Sequence, residues 1–373
     1  MSLQTGDKIL MDKKIYFWGL GRIGRQIYEM SKDYISIDGF IDSDRKKQDQ
    51  LYDGKIKVYT PEEVTFDDSM YVIITMNPQA VIIRKDLEKR GLKHGEDFCT
   101  YKEWFKKLYQ EKGVLLQGNI EVYITDYCNL KCKDCGVLVP YVKKKKHRDI
   151  EVIKKDIETY FSLVDKVSWF NILGGEALLH PYIDELIEYV GETVRDKIQR
   201  ATILTNGVLV PRDETLRLLK KYNFEIDISD YRLPITQKVR GKLLEKIEWA
   251  GLIYNLLPMD HWIHFYDNPP ASNGFNNEDL KNLFNECNWG CRVLFDKKVY
   301  FCSNDRALQE MGLIQGDRTD YYLLEGEDRE ILRAGLCDFD LGKLRKGYVT
   351  LCKYCNGGRA TNMDYIPVAE QLV

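Results

Sequence analysis

Nothing in this chain of 373 residues approaches the run of ~20 apolar residues that a membrane-spanning helix needs, and no cleavable signal opens it. An excess of one charge is missing too: 55 Lys and Arg stand against 58 Asp and Glu, a net charge of −3. That balance gives no basis for nucleic acid or an anionic membrane as partner. Short-period repeats and low-complexity tracts are also absent. What remains is a globular composition, slightly rich in tyrosine, in a chain long enough for two or three domains.

Against these absences stand ten cysteines. Five disulfides in a secreted protein would use them all. Without a signal, and with spacings of two and three residues, metal ligation in a reducing cytoplasm is the expectation. The densest group is Cys128-Asn129-Leu130-Lys131-Cys132-Lys133-Asp134-Cys135, a C-x3-C-x2-C triplet. Chance alone gives such a triplet in on the order of one shuffled sequence in a hundred, so context must support it. Three thiolates on one loop hold three corners of an iron–sulfur cube and leave the fourth iron open. A closed site is structural, whereas an open position admits a small molecule.

Residues 14–108 read as a small Rossmann-like α/β domain. Lys14-Ile15-Tyr16-Phe17-Trp18 is strand-like and runs into Gly19-Leu20-Gly21-Arg22-Ile23-Gly24 and a helical pattern. A second strand, Gly39-Phe40-Ile41, ends at Asp42, near the offset of a ribose-binding acid. This length provides half of a full dinucleotide fold. Two readings stand: a nucleotide site at Gly19, Gly21, Gly24 and Asp42, or glycines that serve tight packing in a recognition domain.

From 118 to 284 strand candidates alternate with amphipathic helices: 120–124, 167–173, 201–204, 224–228 and 252–256, with helices at 150–164, 182–196, 213–222 and 238–248. Such alternation implies a parallel sheet closing into a full or partial barrel. Chemistry in that architecture gathers where strand C-terminal ends open into loops. The cysteine loop follows the first strand, Gly174-Gly175-Glu176 the second, Thr205-Asn206-Gly207 the third and Ser229-Asp230-Tyr231 the fourth. All four therefore share one rim. The basic run Lys143–Lys146 lies on the loop after the cysteines and reads as a solvated loop, with steering of an anionic substrate as the alternative.

On these motifs, residues 118–284 resemble the core of radical S-adenosylmethionine (SAM) enzymes. The resemblance implies a partial (β/α)6 TIM-like barrel and a [4Fe-4S] cluster on Cys128, Cys132 and Cys135. It further implies SAM held by Gly174, Gly175, Glu176, Thr205, Asn206 and Ser229, and an external one-electron reductant such as flavodoxin or ferredoxin. The cofactor carries the hard chemistry there, releasing methionine and a radical that abstracts a substrate hydrogen. One departure is Asp134, where the family usually has an aromatic residue near adenine; Tyr127 and Tyr141 are the stand-ins.

Residues 285–373 resemble the single-cluster twitch module, a shortened SPASM extension: a β-hairpin flanked by cysteines, then Cys352-Lys353-Tyr354-Cys355. The resemblance implies a second, auxiliary [4Fe-4S] cluster on Cys291, Cys302, Cys352 and Cys355, with Cys287 the alternative to Cys291. Lys297 takes the place of the family's hairpin glycine. Cys99 and Cys337 read as packing residues. A structural zinc site is the competing use of these cysteines.

The expected activity is oxidation of a small polar, sugar or nucleotide-sugar substrate, with Asp230 and Tyr231 nearest the chemistry. A peptide maturase is the enzymatic alternative, and a zinc-stabilised scaffold the non-enzymatic one. His180, His261 and His264 read as structural.

Overall fold

The structure, a computed structural model, describes residues 13–48, 51–76, 80–287, 291–358 and 362–372. The chain divides into Met1–Gly118 and Asn119–Val373. Among the described residues no helix is long and apolar enough to cross a membrane.

The first unit runs β1 (Lys14–Trp18), α1 (Arg22–Ser31), β2 (Gly39–Ile41), β3 (Val58–Tyr59), β4 (Met70–Ile74), α2 (Ala80–Lys89), β5 (Phe98–Thr100) and α3 (Tyr101–Lys112). Its sheet has the order β3-β2-β1-β4-β5, with every neighbour parallel. Both faces are apolar because both are covered. Ile15 and Phe17 pack under α1 and α3, and Trp18 and Tyr16 under α2. The expectation of half a dinucleotide fold is thus corrected: the strand order reverses between β1 and β4, as in a doubly wound sheet.

Two glycines of this unit's motif, Gly19 and Gly24, face inward, while Gly21 is exposed. A Cβ on Gly24 would collide with the Gly19 carbonyl, so this glycine lets α1 lie close on β1. Asp42 accepts from Leu20 N at 2.7 Å, Asp44 N at 2.9 Å and Lys47 Nζ at 2.9 Å. A carboxylate so occupied braces the β1–α1 turn. The packing reading of Gly19, Gly24 and Asp42 accounts for these contacts.

The second unit repeats strand and helix: β6 (Leu116–Tyr123), α4 (Ile150–Leu163), β7 (Lys166–Leu173), α5 (Ile183–Thr193), β8 (Ile198–Thr205), α6 (Asp213–Lys221), β9 (Phe224–Asp230), α7 (Pro234–Trp249) and β10 (Tyr254–Pro258). There follow β11 (Trp262–Ile263), α8 (Asn277–Glu286), β12 (Val293–Phe295), β13 (Lys298–Tyr300), α9 (Ser303–Glu310), β14 (Tyr321–Leu323), α10 (Arg329–Asp340) and β15 (Tyr365–Ile366). One eight-stranded sheet has the order β10-β9-β8-β7-β6-β12-β13-β14. The pairs β7–β8, β8–β9 and β9–β10 are parallel, and the hairpin β12–β13 joins through a parallel β12–β6 pair. The protein is therefore an α/β protein with one parallel sheet and one sheet whose β7–β10 run is parallel and whose β12–β13–β14 end is antiparallel.

Where a sixth repeat was expected, the sheet ends at β10. Residues 259–276 hold no helix to make the crossover that a parallel strand requires. β11 instead pairs antiparallel with β15.

Strand alternation divides the residues of this sheet. Ile203, Ile226 and Ile228 are buried with Ile187, Leu219 and Ile247 of the helices. The opposite parity carries polar groups. Trp169 Nε1 donates to Thr202, Arg200 donates to Glu225 and Asp227 at 2.7 and 2.6 Å, and Asn255 donates to the same two carboxylates.

The β12–β13 turn uses two left-handed residues that are not glycine, Asp296 at φ 49° and Lys297 at φ 56°. Asp156 of α4 compensates: its carboxylate accepts from the backbone N–H of Asp296 and Lys297 at 2.8 and 2.7 Å. Arg148 bridges Asp156 and Asp296. Asp156 and Arg148 are both buried, so removing one leaves an uncompensated charge. Asp156→Ala is expected to destabilise the protein by ~3–5 kcal/mol in urea denaturation, whereas Lys297→Gly, which relieves the left-handed strain and gives up a solvent-screened ion pair with Glu325, stabilises it by up to ~1 kcal/mol.

Candidate functional site

The C-terminal ends of β6, β7, β8 and β9 open onto one rim, and the loops there are stitched together by backbone. Gly175 N donates to Thr125 O at 2.7 Å, and Glu176 N to Tyr127 O at 2.8 Å. This bonding lays the Gly-Gly-Glu turn directly on the entry to the cysteine loop. A Cβ on Gly174 would lie 2.8 Å from Thr125 O, and one on Gly175 would collide with Tyr127 O. Both glycines were expected to admit a ligand. The structure shows that what they admit is the backbone of residues 125–128.

Glu176 is fully buried. One carboxylate oxygen accepts from Leu178 N at 3.1 Å; the other accepts from Asn206 N at 2.8 Å and Thr205 Oγ1 at 3.1 Å. Burial pushes its pKa up to about 7. Three bonds leave lone-pair capacity for one further donor, and a cationic donor would favour the ionised form. Thr205 and Asn206 thus act on Glu176 first. Asn206 also spans to the cysteine loop, its Nδ2 donating to Asn129 Oδ1 at 2.7 Å and reaching Cys128 Sγ at 3.5 Å.

Amide donors surround the three thiols. Leu130 N lies 3.4 Å from Cys128 Sγ, and Gln371 Nε2 3.3 Å from Cys132 Sγ. Backbone N–H groups after Cys135 address its sulfur. Burial raises all three thiol pKa values, Cys132 to about 11, and each anion would also feel the others. Protein alone therefore keeps them protonated, and a cationic metal group would compensate their ionisation. Asn129 Nδ2 is buried without a partner among the described residues. Among those residues no three His, Cys, Asp or Glu side chains stand close enough to chelate a single ion. A group held by these thiols either exceeds one ion in size or draws them inward. An iron–sulfur cube fits this donor set: three thiols, amide N–H groups on the sulfurs, and an unsatisfied polar atom beside the first.

Beside this loop is a cavity of about 560 Å³. Leu204 and Ser229 of the sheet line it, with Asp134 and Gly136 of the cysteine loop, the segment Pro258–Ile263, Phe265, Asn304 and Tyr365. Tyr231 lines it too, edge-on to Trp262 with ring centroids 5.5 Å apart, and its burial beside the thiols raises its pKa. Asp230 does not face the cavity, which corrects the expectation for it. With Ser229 inward, Asp230 takes the helix-facing parity of β9, and its carboxylate pairs with Arg240 of α7. Neither aromatic stand-in reaches the cavity lining: Tyr127 stacks on His147 at 4.4 Å, and Tyr141 donates to Lys133 O.

His180 is structural, bonded to Arg148 O and to Tyr182 N. His264 sits between Asp267 and Asp364. Sequence reasoning missed Met259, Asn304, Tyr365 and Gln371. They come from distant segments with no motif to mark them.

The C-terminal cysteines separate into two environments. Cys302, Cys352 and Cys355 flank one apolar cluster, and each is close enough to feel the charge of Cys287. Cys291 also feels the charge of Cys302, but differs in sharing a hydrogen bond with Glu121 of β6, whose burial raises it to about 7. Cys99 is buried in the first unit's core.

The glycine contact yields a direct test. Gly175→Ala is expected to cost ~1–3 kcal/mol by overpacking against Tyr127 and to displace the cysteine loop. Thermal unfolding of the metal-free protein and the iron retained after anaerobic reconstitution both measure it; wild-type values in both would contradict the packing described.

Comparison with known proteins adds independent findings. A family model for the radical SAM superfamily matches residues 122–250, and one for the C2185-like N-terminal domain matches residues 11–96. The chain is similar to the antilisterial bacteriocin subtilosin biosynthesis protein AlbA of Bacillus subtilis, 26% identical over 206 residues, covering 46% of this chain and 43% of that protein. It is also similar to a GTP 3′,8-cyclase of Alkaliphilus oremlandii, 36% identical over 115 residues, covering 29% of this chain and 34% of the other. The chain thus spans less than half the length of either relative. Among solved structures, anSMEcpe with bound AdoMet aligns at 15% identity and a TM-score of 0.42, covering 68% of this chain and 92% of that one. BtrN in complex with AdoMet and 2-DOIA aligns at 17% identity and a TM-score of 0.39, covering 69% and 100%. The matched stretch 122–250 holds the cysteine loop, the Gly-Gly-Glu turn and Asn206 on one rim, and by that match this part of the chain is a radical SAM domain.

Proposed function

We propose that this enzyme oxidises a small polar substrate by hydrogen-atom abstraction in the cavity beside the cysteine loop. Cys128, Cys132 and Cys135 would hold the [4Fe-4S] cluster. The bound cluster, given an electron by a reductant such as flavodoxin or ferredoxin, supplies the reductive cleavage of SAM into methionine and a 5′-deoxyadenosyl radical. Glu176 has one acceptor position left for the SAM ammonium, a charge-assisted bond. Thr205 and Asn206 orient that carboxylate, while Ser229 and Tyr231 face the ligand itself. The observation that carries the reading is the placement of three thiols, a buried carboxylate and a cavity on one rim.

The cavity lining bears on the substrate. Its lining includes Asp134 and Asp260, the latter paired with Arg232 just outside it, and among the described residues no Lys or Arg lines it. Such a wall suits a neutral or amine-bearing polar molecule better than the diphosphate of a nucleotide sugar. For the auxiliary cluster, Cys287, Cys302, Cys352 and Cys355 are the favoured ligands, with Cys291, hydrogen-bonded to Glu121, the alternative to Cys287. A second cluster with four protein ligands suits electron transfer, as a two-electron oxidation requires. Peptide maturation is the second reading, favoured by the similarity to the subtilosin biosynthesis protein.

Reconstituted protein is expected to form 5′-deoxyadenosine with dithionite and SAM, and Cys128→Ala to abolish it. Zinc without iron, or cleavage that survives Cys128→Ala, would sink the reading. Iron analysis separates the ligand sets: Cys287→Ala is expected to lose about four irons, the content of one cube, and Cys291→Ala none. The reverse pattern would return Cys291 to the cluster. A product screen decides the substrate, since only a true substrate raises 5′-deoxyadenosine formation and loses mass corresponding to hydrogen.

A further inference from the structure

The segment Asp364–Leu372 lies more than two hundred residues from the cysteine loop in sequence and against it in space. β15 pairs with β11, and His264 bonds Asp364 through both backbone and side chain. Tyr365 then packs tilted against His261, ring centroids 3.9 Å apart, and lines the cavity. Ala369, fully buried, packs with Leu130 and Cys132. Two backbone bonds follow in strand-like register: Lys133 N donates to Glu370 O at 2.7 Å, and Leu372 N to Lys131 O at 2.8 Å. Gln371 completes the contact with both ends of its amide. Its Oε1 accepts from Lys131 N at 2.8 Å, and its Nε2 donates to Ala369 O at 2.6 Å and to Cys132 Sγ at 3.3 Å.

The cysteine loop is a short irregular stretch with few backbone bonds of its own. The N–H groups of Lys131 and Lys133 and the carbonyl of Lys131, which flank Cys132 on both sides, all find their partners in this segment. Unmet, they would turn to water and loosen the loop. A hydrogen bond to a ligand sulfur also matters electrically. It withdraws charge from the thiolate and stabilises the more negative, reduced form of a cluster.

We propose that Asp364–Leu372 is a strap that holds the cysteine loop in its ligating conformation, and that Gln371 is a positioning residue that raises the reduction potential of the cluster through its N–H···S bond to Cys132. The second half of this rests on the cluster assignment made above; the first half does not. Because Tyr365 and Gln371 belong to one strap, the wall of the substrate cavity and the outer face of Cys132 are set by the same few residues.

Two experiments test it. Gln371→Glu keeps an oxygen for Lys131 N and removes the donor to sulfur. Redox titration of the electron paramagnetic resonance signal that Cys128→Ala abolishes is expected to show a more negative midpoint in Gln371→Glu, with iron content unchanged. An unchanged midpoint with a full cluster overturns the tuning role. The strap itself is tested without metal. In the iron-free chain, hydrogen exchange of the peptide covering 129–135 is expected to accelerate at least about tenfold when residues 364–373 are deleted, by loss of the bonds that close it. Equal exchange with and without the segment overturns the strap. Should no cluster assemble in the wild type, the cluster assignment fails while the exchange result still decides the strap.

Discussion

The candidate site depends on one close backbone contact, the seating of the Gly174-Gly175-Glu176 turn against residues 125–128. Two hydrogen bonds, Gly175 N to Thr125 O and Glu176 N to Tyr127 O, fix the register between the end of β7 and the start of the cysteine loop. Neither bond is strong alone, at roughly 1 kcal/mol net each. Their weight comes from geometry, because side chains at 174 or 175 would separate the two segments. Once they are joined, Glu176 is buried, Thr205 and Asn206 of the next strand turn toward its carboxylate, and Asn206 reaches back to Cys128 and Asn129. A ring of contacts thus closes through three consecutive strand ends.

Beneath the rim, strand parity decides which residues do chemistry and which hold the sheet to its helices. The inward parity of β8 and β9 carries Arg200, Thr202, Glu225 and Asp227 and ends at Leu204, Ser229 and the cavity. A buried ion cluster of this kind contributes little net stability, since desolvation offsets most of the attraction. What it does is keep the strand ends from shifting: Arg200 ties β8 to β9, and Asn255 ties β10 to both carboxylates. The outward parity is apolar and supplies the burial that folds the unit.

Much of this was legible in the sequence, and the misses have physical causes. The alternation of strand and helix, the cysteine loop, the Gly-Gly-Glu turn and Asn206 are local patterns, and local patterns survive translation into structure. Asp230 was misjudged because its neighbour Ser229 was also taken as facing the ligand, and adjacent strand residues cannot both point inward. The glycines at 174 and 175 were read as clearance for a ligand, when the nearer body is the protein's own backbone. Of the two readings left open for Asp42, its bonds to Leu20, Asp44 and Lys47 favour the packing one. Met259, Asn304, Tyr365 and Gln371 carry no signature at all, since they reach the site through pairings such as β11–β15 that only the folded chain creates.

Those contacts converge on one claim, that the three-cysteine loop presents an iron with an open position to SAM. Electron paramagnetic resonance of the reconstituted, reduced Cys352→Ala protein tests it most directly, because that variant leaves the cysteine loop as the remaining cluster site. Addition of SAM is predicted to change the spectrum of the reduced cluster, as direct ligation of one iron requires. A spectrum that SAM leaves untouched, in protein carrying a full complement of four irons, would contradict the account.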